Sequence, residues 1–242
     1  MFPKRPDAFE LLTGRLSNDP HPGGISLPGE GGKFSTDGVV QNWPGNTFIC
    51  HVDPTSDAWR VIREVQEKVK CSPFHRFFTF TPPSSFHMTV FQGICPVVRG
   101  DWPEGVPEDA SRDRVSGVLL ERTRGLDVPT SFKVQVNNLH ALHSLSVTGA
   151  DEENDALLRK TREILRAATG ISPKGFEDYV FHITLGYPVT FASDSLAKEM
   201  VDFSQQISSG LTDAIGTIDL GPLEFCTFET MHHFEPLVKL GA

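Results

Sequence analysis

The sequence predicts a mixed α/β or α+β fold, and three observations carry that reading. From residue 46 onward, short β-branched and aromatic runs alternate with helical patterns of a dozen or more residues. The order strand, helix, strand occurs twice with one spacing, since Phe48 to His87 and His143 to His182 both span 39 residues. Each copy ends in the same pattern, Phe-His-x-Thr followed by an apolar residue. With 242 residues, 38% of them hydrophobic and 22% charged, the chain can bury a substantial core and lies far from the composition of disorder.

Residues 1–44 are rich in Pro and Gly, as in Pro20-His21-Pro22-Gly23-Gly24 and Gly29-Glu30-Gly31-Gly32, and read as an irregular, largely surface-lying arm. Residues 45–242 read as a single domain with an internal duplication. Thr47 to Val52 is a strand, and Asp53-Pro54-Thr55-Ser56 caps a helix to Lys70 with Trp59, Ile62, Val65 and Val69 on one stripe. Phe77 to Thr81 and Phe86 to Phe91 read as a hairpin turned by Pro82-Pro83-Ser84-Ser85. A helix follows between Pro107 and Arg124, then strands Phe132 to Val136 and Leu142 to Val147 joined around Asn137-Asn138. From Asp151 an amphipathic helix runs to Gly170, the usual residue for a left-handed helix end. Tyr179 to Tyr187 is a strand, Ser193 to Ser208 a helix, and Thr217 to Leu220 with Leu223 to Thr230 are the closing strands.

Charge and cysteine usage narrow the class of partner. A formal net charge of -9 disfavours a grip on long nucleic acid, which needs clustered Lys and Arg, so a small substrate is expected. The basic runs Arg60 to Lys70, Arg112 to Arg124 and Arg159 to Arg166 coincide with helical patterns and read as solvated faces. Cys50, Cys71, Cys95 and Cys226 are scattered and form no C-x-x-C pair, as expected of reduced thiols in a cytoplasmic protein. Neither a secretory leader nor an apolar run of membrane-spanning length is found, and a monomer is expected.

The two motifs are Phe86-His87-Met88-Thr89-Val90 and Phe181-His182-Ile183-Thr184-Leu185. With 9 His and 18 Thr in the chain, about 0.7 bare H-x-T triplets are expected by chance. Requiring Phe before and an apolar residue after lowers that to roughly 0.02, so two occurrences are a signal. Residues i and i+2 of a strand share a face, which places His87 with Thr89, and His182 with Thr184, opposite the apolar positions. If the duplication sets the strands side by side, two imidazoles and two hydroxyls converge on one cavity. That set suits phosphodiester cleavage, with one imidazole as base, one as acid, and the hydroxyls on the non-bridging oxygens. With unperturbed values near 6.5, one ring can start neutral and the other protonated. No metal is indicated, because neither histidine has a carboxylate or second His at ligand spacing and Thr suits imidazole-favouring metals poorly.

In these paired motifs the sequence resembles the 2H phosphoesterase superfamily, which includes RNA 2',3'-cyclic phosphodiesterases and 2'-5' RNA ligase-like proteins. The resemblance covers Asn46 to Val238 and implies an α+β, bilobal fold of two pseudo-symmetric antiparallel sheets flanked by helices around a central cleft. It also implies metal-independent acid–base cleavage of cyclic phosphates without a cofactor, with His87, Thr89, His182 and Thr184 in the motif positions. The Pro/Gly-rich arm and Gly31-Gly32-Lys33-Phe34 lie outside the general pattern and resemble an uncharacterised bacterial branch.

Further residues are candidates for substrate contact. Phe91 falls on the cavity face by alternation, where it can stack on a base, with core packing at the lobe junction as the alternative, whereas strict alternation turns Tyr187 toward the core unless the strand ends first. His232 follows the last predicted strand, and Lys33 and Lys133 are basic residues to test as phosphate clamps. Two rival readings stand beside the phosphoesterase. A non-catalytic module of the same fold would bind nucleotides or RNA ends, and a metallohydrolase would lose activity to chelators.

Overall fold

The computed structural model describes residues 5–96 and 102–241, so the first four residues of the predicted arm lie outside the described part. In chain order its elements are α1 (Ala8–Thr13), β1 (Ile25–Ser26), β2 (Phe34–Ser35), β3 (Gly45–His51), α2 (Asp57–Lys70), β4 (Phe78–Phe80), β5 (His87–Gln92), α3 (Arg112–Thr123), β6 (Phe132–His140), β7 (Ser144–Gly149), α4 (Glu152–Thr169), β8 (His182–Thr184), β9 (Gly186–Pro188), α5 (Asp194–Ser208), α6 (Leu211–Ile215), β10 (Thr217–Leu220), β11 (Leu223–Thr230) and β12 (His233–Leu240). The fold is α+β. Among the described residues, no helix is long and apolar enough to cross a membrane.

The long helices start and stop where their sequences direct. Ser56 accepts from the Trp59 amide to open α2, and Asp151 accepts from the Asn154 amide to open α4. Glu152 and Glu153 occupy the first turn of α4, and Gly170 ends it at φ 71°. Ile62, Val65 and Val69 of α2 and Leu158 and Leu165 of α4 are buried in one core against the sheet.

The main sheet is antiparallel, with strand order β10-β6-β7-β8-β5-β3-β11-β12. The two sheets expected from the sequence are its two four-stranded halves, joined at the seam where Met88 of β5 faces Ile183 of β8. Across β3–β5, Ile49, Cys50 and His51 face Thr89, Met88 and His87. Across β7–β8, Ser144, Leu145 and Ser146 face Thr184, Ile183 and His182. Every residue of one set lies 95 positions from its counterpart, so the two inner strand pairs are related by a pseudo-two-fold axis through the seam. Met88 and Ile183 are fully buried, each contributing about 1.5–3 kcal/mol of hydrophobic stabilisation to the join.

Four local expectations are corrected. The run Phe77 to Thr81 forms no hairpin with Phe86 to Phe91; β4 pairs with β9, and the Thr81 amide donates to the Leu185 carbonyl. Pro82 and Pro83 lack amide donors, and a single 3₁₀ turn at Pro83–Ser85 carries the chain away. Asn137 and Asn138 lie inside β6, and the turn falls at Ala141 and Leu142, with φ 47° and 62°. The left-handed conformation costs about 1–2 kcal/mol per residue, which burying Leu142 offsets by about 1.5–3 kcal/mol. The final strand β12 was not expected; it is an edge strand, where Pro236 is tolerated. Finally, the arm is not surface-lying throughout, because Leu12, Ile25, Phe34 and Trp43 are buried.

Candidate active site

The seam fixes the site. With Met88 and Ile183 directed into the core, alternation sends His87, Thr89, His182 and Thr184 to the opposite face. All four line one cavity of about 350 Å³, together with Lys33 and Trp43 from the arm, Gln92, Tyr179, Tyr187 and Phe234. A hollow of about 590 Å³ adjoins it at Ile94 and Cys95 and is lined by Trp102, Glu108 and Arg112, with no histidine.

The two imidazoles are held alike. His87 Nδ1 lies 2.6 Å from the Ser85 carbonyl oxygen, and His182 Nδ1 lies 2.9 Å from that of Val180. A carbonyl only accepts, so Nδ1 carries the proton in both rings and Nε2 is left as the second functional nitrogen. The Phe234 ring lies 4.2 Å from that of His87, and the Tyr179 ring 6.1 Å from that of His182. Burial pushes both histidines down from 6.5 to about 4, reinforced by Arg5 at His182 and, more weakly, by Lys33 at both. The expectation of one neutral and one protonated ring is thus corrected for the ligand-free site, where both are neutral at pH 7. Among the described residues, none that lines the cavity is acidic.

The remaining candidates divide. Phe91 is fully buried on the core side, 6.1 Å from the Phe48 ring and 6.3 Å from that of Phe176. The reason is a β-bulge: Ile49 faces Thr89 but Phe48 faces Phe91, so Val90 is an extra residue and alternation shifts by one. Gln92 takes the cavity position instead. Tyr187 reaches the cavity because the predicted strand breaks at Leu185 and β9 joins β4; its ring lies 5.0 Å from that of Phe34 and 5.2 Å from Lys33 Nζ. Lys133 is exposed on β6 opposite Asp219 and does not line the cavity. His232 also lies outside the lining, its ring 5.6 Å from that of Phe34. Lys33, by contrast, is in the wall.

Two arginines important to the site were not singled out from the sequence. Arg162, only 2% exposed, donates to the carbonyl oxygens of Val90 at 2.6 Å and Phe176 at 3.1 Å. Its guanidinium lies 4.1 Å from the Tyr179 ring, and the Tyr179 hydroxyl donates to the Thr89 carbonyl at 3.3 Å. Arg5, from the arm, donates to Ser144 Oγ at 2.6 Å beside the His182 strand. The basic run Arg159 to Arg166 reads as a solvated face, although Arg162 falls four residues after Leu158 and three before Leu165 on the buried stripe, and nothing local to Arg5 points to a partner 139 residues away.

Among the described residues, one group of side chains has metal-ligand chemistry. His51, Glu224 and Cys226 bring ligand atoms within 4.8 Å of one another. His51 Nδ1 and Glu224 Oε2 already pair at 2.6 Å, and burial raises the Cys226 thiol, so the set as it stands is a hydrogen-bonded pair beside a neutral thiol. It lies on the flank of His87, the two imidazole centroids 6.2 Å apart.

Comparisons with known proteins bear on the family resemblance and the fold. A family model described as 2H-phosphodiest, a domain of unknown function (DUF1868), matches residues 33–145, a stretch that contains the first motif. The fold is similar to the crystal structure of a conserved protein of unknown function from Agrobacterium tumefaciens str. C58, with a TM-score of 0.86 and 26% sequence identity. That likeness covers 97% of this chain and 99% of the other. A comparison with curated proteins found no match. The family description is consistent with the 2H phosphoesterase resemblance of the paired motifs, and the structural likeness shows the α+β fold.

Proposed function

We propose that this chain is a metal-independent phosphoesterase that hydrolyses a cyclic phosphate or another small, nucleotide-like phosphodiester. The observation that carries the reading is the Met88–Ile183 seam, which turns both histidines and both threonines into one cavity with no acidic wall residue among the described residues. In the reading, His87 and His182 are the acid–base pair, and the Thr89 and Thr184 hydroxyls donate to the non-bridging phosphate oxygens.

The proton inventory follows from burial. A phosphodiester anion entering between two neutral rings favours protonation of one of them. The ring that remains neutral takes a proton on Nε2 from the attacking water as the new P–O bond forms. The protonated ring gives its proton to the leaving oxygen as the old P–O bond breaks. Water is thereby added across one ester bond, a phosphomonoester leaves, and the two rings have exchanged protonation states.

The test is an assay of the purified chain in EDTA against 2',3'-cyclic nucleotides and cyclic-phosphate oligonucleotides, beside His87→Ala and His182→Ala. Turnover that survives EDTA and falls about 10²–10⁴-fold in each variant is expected. Equal turnover in the variants overturns the mechanism. Tight binding of these compounds without turnover would identify a non-catalytic module instead.

A further inference from the structure

Among the described residues, Arg5 has no counter-ion. Its guanidinium is partly buried, its one hydrogen-bond partner among the described residues is the neutral Ser144, and it enters no ion pair there. Residues 1–4 contain no carboxylate, and Asp7 is exposed and occupied in accepting from the Glu10 amide at 2.9 Å. A cation taken out of water without a partner is unfavourable unless something negative meets it.

The polar groups around Arg5 are unmatched in the same way. Ser144 faces Thr184 and Ser146 faces His182, so Arg5 sits one strand beyond the second motif. Ser146 Oγ and His140 Nε2 are buried, at 6% and 9% residue exposure, without a hydrogen-bond partner among the described residues. Buried polar atoms are nearly always satisfied, by protein, water or ligand. A guanidinium fork, two hydroxyls and an imidazole nitrogen together match the several oxygens of a phosphoryl group better than the two of a carboxylate. The place borders the cavity, because Ser144 and Ser146 are the cross-strand neighbours of Thr184 and His182, both of which line it.

We infer that Arg5, His140, Ser144 and Ser146 form a second anion subsite on the flank of His182, which takes a phosphoryl group of the substrate other than the scissile diester. The inference rests on the phosphoesterase reading above and adds a substrate class to it: a nucleoside cyclic phosphate that also carries a terminal phosphate or diphosphate. The subsite depends on the arm, which supplies both Arg5 and, in the cavity wall, Lys33.

The test compares kcat/KM for adenosine 2',3'-cyclic phosphate with and without a 5'-phosphate, in the full chain and in Arg5→Ala, Arg5→Lys and Ser146→Ala. The expected result is a preference of at least about tenfold for the 5'-phosphorylated compound, expressed in KM, since a charge-assisted bidentate pair is among the stronger polar contacts. Arg5→Ala narrows the preference toward one, and Arg5→Lys restores part of it. Absence of a preference in the unaltered chain, or its survival in Arg5→Ala, overturns the subsite. If neither compound is turned over, the phosphoesterase reading fails alone. Inorganic phosphate titrated into the His87→Ala/His182→Ala double variant, with and without Arg5→Ala, then decides: binding abolished by Arg5→Ala supports the subsite, and no binding in either removes it.

Discussion

Arg162 donates to the carbonyl oxygen of Val90 at 2.6 Å, joining helix α4 to the extra residue of the bulge in β5. The bulge sends Phe91 to the core and Gln92 to the cavity while Thr89 keeps its place beside His87, so a buried cation holds the register of the first motif. Arg162→Met leaves the Val90 and Phe176 carbonyls without their donor. A hydrogen bond to a charged group is worth roughly 1.5–3 kcal/mol, so a loss of about 3 kcal/mol in urea unfolding is expected. Arg162→Lys should recover only part of this, because one ammonium cannot reproduce a planar fork that bonds two carbonyls and stacks on Tyr179.

Ligand binding should carry protons with it. His87 and His182 stand at about 4 in the free protein through burial, and an anion placed between them raises at least one. Calorimetric titration of a 2',3'-cyclic nucleotide at pH 7 in buffers of different ionisation enthalpy should therefore show uptake of up to one proton per site. Binding with a heat independent of buffer would contradict the acid–base scheme.

Stability should fall on mild acidification. His87, His140 and His182 each sit at about 4 when folded, with burial the first cause, against 6.5 when unfolded. Between those values the unfolded chain holds more protons than the folded one, so folding stability is complete above about 6.5 and declines as pH drops toward 4. Thermal unfolding followed across that window should show a falling Tm, and His140→Asn should flatten the decline.

Gly93→Ala should damage both stability and the cleft. A Cβ at Gly93, which lines the cavity next to Gln92, would collide with the Asn46 side-chain oxygen and the Asn46 backbone. Asn46 Oδ1 accepts from the Ile94 amide and Asn46 Nδ2 donates to Ser116, so it cannot yield without losing buried hydrogen bonds. Destabilisation of about 1–3 kcal/mol is expected from chemical denaturation.

Local patterns were readable in the sequence, and non-local ones were not. Strand alternation around His87 and His182, the caps at Ser56 and Asp151 and the stop at Gly170 involve residues a few positions apart, and the structure has them as expected. The errors fall where a distant partner overrides a local rule. Phe91 was misplaced because a bulge is selected by packing against Phe176 and by the reach of Arg162 rather than by its own strand. Tyr187 reaches the cavity because β9 leaves the seam to pair with β4, more than a hundred residues earlier in the chain, which is the strand ending that strict alternation had left open. Lys33 was noticed for its charge alone, and it reaches the wall through an arm whose composition suggested little more than a loop.

The sheet order also bears on how the chain comes to be folded. The first half of the sheet is β5-β3-β11-β12, and its outer pair is made from the last stretch of the polypeptide. During synthesis β3 has to wait for β11, some 170 residues later, before its second edge is covered. Such long-range closure slows folding and leaves strand edges open in the interval. The two halves of the sheet are therefore not detachable units: a fragment ending before Leu223 would retain both histidine motifs and still lack the strands that finish the half carrying His87.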